Sequence, residues 1–189
     1  MDSYELEQQI EPHLREGDLD HCTEQVRDAL LRLPNSPFHI ATELDFTNDP
    51  ATVARHFDTF LTRESARFDI RAVYTETNGF SINPDCWYFD LFAYDVFAGL
   101  EDLDWLAEMK SYDTQGMTLT GMEPLQSIYE SNSFRNKEYS KAIDLASLFV
   151  VVRFQALISQ CAPLMEQLKC PLLATSHDYD LIFEYNPGP

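Results

Sequence analysis

The chain has 189 residues, of which 44% are hydrophobic and 13% aromatic. That is enough apolar material for one core, and too much for a disordered chain. Asp and Glu number 32 against 13 Lys and Arg, a formal charge of −19. A surface this acidic repels phosphate, which argues against nucleic acid and anionic membrane as partners.

Ser3 is positioned to cap a first helix carrying Tyr4, Leu6 and Ile10, with Pro12 expected to break or restart it and Gly17 to end it. Asp18 or Asp20 then caps a second helix with Leu19, Cys22, Val26, Leu30 and Leu33 on one face. After the turn Pro34-Asn35-Ser36-Pro37, the alternation of Phe38, Ile40, Thr42, Leu44 and Phe46 with polar or small residues predicts a strand. Asn48-Asp49-Pro50 reads as a cap with a first-turn proline, followed by a helix whose stripe of Val53, Phe57, Phe60 and Leu61 ends in Glu64.

Alternation returns over Phe68–Thr75, and Asn78-Gly79 is the strongest turn dipeptide. Cys86–Tyr94 reads as an aromatic strand and a candidate hairpin partner of the one before it. Phe80–Asp85 is too long a spacer for a plain two-residue hairpin. Asp102–Met109 predicts a short acidic helix, Met117–Thr120 a strand ended by Gly121, and Pro124–Tyr129 a helix. A long helix is expected from about Lys137 to Cys161, apolar on nearly every side in its middle and stopped by Pro163. Its densest apolar run, Ala146–Val152, is shorter than the ~20 residues a membrane span needs. Leu172–Thr175 and Asp180–Tyr185 are the last expected strands. These elements predict one α+β domain over residues 1–189, helical at about 3–33 and mixed at about 38–185. Its sheet is expected to be mostly antiparallel, with helices packed on one face.

The four cysteines, Cys22, Cys86, Cys161 and Cys170, form no CxxC pair. Free thiols and a cytoplasmic setting are therefore expected. The N-terminal residues lack the basic and apolar regions of a secretory leader. No sequence feature sets the oligomeric state.

Charge is unevenly placed. Residues 72–134 hold eleven acids and Lys110 as the sole base, a net of −10, against −8 over residues 1–71 and −1 over residues 135–189. The same stretch carries Trp87, Tyr88, Phe89, Phe92, Tyr94, Phe97 and Trp105. On a strand, Trp87, Phe89, Leu91 and Ala93 form the better core face, leaving Tyr88, Asp90, Phe92 and Tyr94 on the other.

Carboxylates that steer and pair, beside aromatic anchors, are what capture of a basic protein requires. The expected partner-binding residues are Asp90, Tyr94, Asp95, Glu101, Asp102, Asp104 and Trp105. The expected function is an acidic binding module, such as an inhibitor or immunity-type protein occluding a basic partner like a nuclease toxin. The ordinary alternative is that both strand faces are covered and the acids only solvate the surface.

Other motifs are weaker. His177-Asp178-Tyr179-Asp180 suggests a metal-dependent hydrolase, with further ligands drawn from His56 and Asp58; the competing reading is an Asp-rich turn before a strand. The six glycines form neither GxGxxG nor a Walker loop, and Gly79-Phe80-Ser81-Ile82-Asn83 lacks the second glycine of a nucleophile elbow. No catalytic residue, metal ligand or cofactor is assigned from sequence.

Overall fold

A computed structural model describes residues 2–80, 83–113, 115–131 and 137–188. Among these residues are five helices, α1 (Ser3–Arg15), α2 (Leu19–Leu31), α3 (Pro50–Ser65), α4 (Glu123–Glu130) and α5 (Ser140–Cys161), of which α3 and α5 pack most directly on a sheet of six strands. These are β1 (Ala72–Thr77), β2 (Tyr88–Tyr94), β3 (Ser111–Tyr112), β4 (Met117–Thr118), β5 (Leu172–Ser176) and β6 (Phe183–Tyr185).

The α+β class is as expected. The order β3-β2-β1-β5-β6, with β4 also beside β2, pairs strands antiparallel everywhere except β1–β5, which run parallel. The sheet is therefore mixed. The parallel pair exists because α5 returns the chain across the sheet before β5 begins.

α5 supplies more of the core than any other element. Val150, Phe154 and ten or more of its other side chains are buried, and Phe154 meets the rings of Phe46 and Phe89. Lys137–Leu164 is long and apolar enough to cross a membrane, but 78% of its apolar window is buried inside this fold. The helix ends at Cys161, where the sequence places its end, and begins at Ser140 after a short 3₁₀ turn, Lys137–Tyr139. Phe89, Leu91 and Ala93 of β2, with Trp87 just before it, all face this core.

Several local expectations are corrected. The cap of α1 is Asp2, which accepts from Glu5 N–H while Glu5 accepts from Asp2 N–H. α1 also runs through Pro12, which sits in its last turn on an exposed face.

Residues 38–46 are not a strand: Pro37–Glu43 is a 3₁₀ segment. Pro37 supplies a helical φ at its start, and His39 fixes the turn by bridging Ser36 N–H (3.0 Å) and the Leu30 carbonyl (2.7 Å). Nε2 must donate in that bridge and Nδ1 accept. Phe38 and Ala41, three apart, are then the buried pair.

β1 starts at Ala72 rather than Phe68. The acidic helix expected at 102–109 is a 3₁₀ segment, Asp104–Glu108. β1 and β2 do pair antiparallel, through a loop in which Asn78 bonds Tyr88 N–H and the Cys86 carbonyl.

Beyond β4 the chain passes against residues 45–48. Gly121, at φ +103°, would place a Cβ 2.1 Å from the Asp45 carbonyl oxygen, so no other residue fits there. Thr47 and Asn48 bond Thr120 and Thr118 across this crossing. Asp45 is held in turn by Arg153 of α5.

Candidate functional site

The helices cover one face of the sheet. Residues 95–110 form a strap across part of the other. Tyr94, Trp105, Ala72, Leu173 and Ile182 make a second, smaller apolar cluster beneath it. Phe97 and Tyr94 pack edge-on against Trp105, at 5.5 and 5.0 Å between ring centroids. The Tyr94 hydroxyl donates to the Leu106 carbonyl and Trp105 Nε1 to the Gly99 carbonyl. Burial pushes the Tyr94 phenol up to about 12.

Two expected site residues are therefore placed differently. Tyr94 is 2% exposed and Trp105 7%, and both spend their rings on holding the strap down. Neither is a surface anchor. Alternation put Tyr94 on the outer face correctly, but the strap that covers that face folds back from the very segment that follows it.

The acids are arranged as a surface feature. Asp95, Glu101, Asp102 and Asp104 are exposed along the strap, as is Glu108. Asp95 pairs with Lys110 at 3.4 Å, and Glu101 lies 3.7 Å from Arg15 of α1. Val96, Met109 and Tyr112 are the large apolar side chains exposed nearby, at 38%, 47% and 51%.

Asp90 lies elsewhere on the same face, beyond the strap's reach. There the sheet opens into two adjoining clefts that share Tyr88 and Asp90, of about 230 and 490 Å³. Glu76 and His177 line the smaller, and Tyr112, Asp113 and Gly116 line the larger.

In the ladder Glu76 stands directly opposite Asp90. Burial, then Glu76, then Asp113 hold the Asp90 carboxyl above the ordinary aspartate range. Glu76 accepts from the Tyr74 hydroxyl at 2.9 Å and lies 3.6 Å from His177 Nδ1. Burial chiefly, then Glu76, raises the Tyr74 phenol.

Asp113 is nearly buried and faces His56 Nε2 of α3 at 3.2 Å, with Arg63 at 3.9 Å. Burial lowers His56, Asp113 opposes that, and Arg63 adds to it. Deeper still, burial pushes Glu64 up. Bonds from Arg63 and the Ser111 hydroxyl, with the charge of Arg67, outweigh this and leave its carboxyl below the ordinary value.

The metal alternative finds no assembly. His177, Asp178 and Asp180 share the β5–β6 connection, where Asp178 adopts a left-handed φ of 68°. His56 faces Asp113, and Asp58 accepts the backbone N–H groups of Glu166 and Gln167. Among the described residues no three His, Cys, Asp or Glu converge as metal ligands.

Glu76, Tyr88 and Asp113, which the structure brings to Asp90, were not among the expected site residues. The signal for Glu76 was the period of two, which Ala72 and Tyr74 carry on to it just past the expected end at Thr75. No protein family matches the chain, and no curated protein or solved structure shows a significant likeness to it.

Proposed function

We propose that this protein is an acidic binding module that occludes a basic protein partner, as an inhibitor or immunity protein would occlude a basic target such as a nuclease. The observation that supports this best is the strap. Asp95, Glu101, Asp102, Asp104 and Glu108 are all exposed on one segment whose sole base, Lys110, is already shared with Asp95. Carboxylates collected on one surface raise the encounter rate with a cationic partner, and occlusion requires complementarity without any reacting group. Val96, Met109 and Tyr112 take the apolar role first expected of Tyr94 and Trp105. The setting proposed is cytoplasmic, in keeping with four free thiols, one of them, Cys86, exposed.

The test is affinity capture from the source cells, comparing the native chain with the D95N/E101Q/D102N/D104N variant. The expected result is a protein of net positive charge, retained at low salt, released as salt rises to several times ~0.15 M, and captured poorly by the variant. Capture indifferent to both salt and variant, or confined to acidic proteins, would overturn the proposal.

A further inference from the structure

The acids of the outer face are held in two ways. On the strap, Asp95 and Glu101 each have a cation within 4.0 Å, and Asp102, Asp104 and Glu108 stand exposed to water. In the open half, Glu76 and Asp90 face each other across the β1–β2 ladder, and among the described residues no Lys or Arg comes that close to either. Like charges directly opposed on one face of a sheet are destabilising. Inside the fold Glu76 has the Tyr74 hydroxyl and His177 beside it, neither a fixed cation, so the opposed pair still lacks a full counter-charge. A local rule left broken in this way marks a functional surface better than charge alone does.

The walls of this open face are suited to a flat cation. Tyr88 is half-buried between the two clefts, and Tyr112 stands exposed at the rim, stacked on Phe92 at 6.4 Å. Gly116 packs so close that a Cβ there would sit 3.0 Å from Asp90 Oδ1 and 3.1 Å from Tyr88, so the cleft wall is backbone. A guanidinium can lie on an aromatic face while donating to carboxylates in its own plane. An ammonium, a strongly hydrated point charge, gains less from such a surface.

We infer that the uncovered half of the outer sheet face, at Glu76, Tyr88 and Asp90, seats an arginine side chain of the partner protein. This rests on the reading above that the partner is basic, and it divides the labour. The strap acids steer, and the Glu76–Asp90 pair holds.

The test titrates tetra-arginine and tetra-lysine peptides into the full-length chain and follows its backbone amide resonances. Shifts are expected to centre on Glu76, Tyr88, Asp90 and Asp113. The arginine peptide should bind about threefold tighter, the scale of an exposed cation–π contact. E76Q/D90N should lose the response while keeping a native amide spectrum, since each change removes charge without changing shape. D95N/E101Q/D102N/D104N should keep the same centre with weaker binding. Shifts centred on residues 95–104, or equal affinity for the two peptides, would overturn the arginine seat and leave the basic-partner reading standing. Absence of any shift with either peptide at low salt would overturn both.

Discussion

The two faces of the sheet are built from alternate residues of the same strands. On the inner face Phe89 meets Phe57 of α3 and Phe154 of α5, Leu91 and Ala93 join the same core, and hydroxyls there such as Thr75 are satisfied, its Oγ1 donating to the Asp90 carbonyl. On the outer face an apolar half lies under the strap and a charged half lies open. On the inner face two long helices share the cover, α3 over β2 and α5 over β5. A strap of irregular chain covers only what its few large side chains reach, here Phe97, Leu103 and Trp105. The inner face is thus committed to stability, and the uncovered part of the outer face is free to carry charge that the fold itself does not need.

The largest effect that would test this contrast is on the inner face. Phe154→Ala should cost about 3–5 kcal/mol, the usual loss for a fully buried ring. A shift in urea unfolding worth less than ~1 kcal/mol would mean that α5 is not the main support of the sheet.

Trp105→Ala should cost less, roughly 1–3 kcal/mol, because the strap can lift without the inner layer parting. Hydrogen exchange reads the difference. Protection should fall across residues 95–110 and persist in β1 and β5. Equal loss in β5 would make the strap as integral as α5.

Asp90→Asn should stabilise the isolated chain by about 0.2–1 kcal/mol at neutral pH, by removing one of two opposed charges. The pH dependence follows from the raised Asp90 carboxyl. Folded protein holds that proton more tightly than unfolded protein does, so its contribution favours folding in acid. The contribution is lost as pH rises from the ordinary aspartate value near 3.9 through the higher folded value. The advantage of Asp90→Asn should therefore vanish toward acid, and a gain that grows there would contradict the assignment.

Smallest is the response to salt. Raising it to about 0.15 M should lift the melting temperature slightly by screening like charges, and less in E76Q/D90N than in the native chain. A downward shift would mean that attractive pairs dominate.

Much of this contrast is legible in the sequence. Alternation in Trp87–Tyr94 separates core from outer residues, and the apolar girth of α5 announces its burial. What is lost is set by contacts between distant residues. Residues 38–46 alternate like a strand, yet Pro37 and the His39 bridge to Leu30 turn them into a 3₁₀ segment. Tyr94 and Trp105 look like anchors because nothing local shows that the strap packs one ring on the other. Glu76 escapes notice because the strand expected over Phe68–Thr75 stops one residue short of it, whereas β1 runs on to Thr77 and sets Glu76 against Asp90.

The parallel pairing of β1 with β5 constrains the order in which the sheet can be completed. β1 is a central strand, but its second neighbour, β5, lies almost a hundred residues downstream, after α5. While the ribosome is still making the intervening chain, β1 can join β2 and still present a bare row of amide and carbonyl groups on its other side. Such an edge is a template for stray strands. Completion waits for Leu172–Ser176 to emerge, and β6 then closes the new border with only three residues. A chain cut short before its final strands would therefore leave the β1 edge open to pairing with other chains.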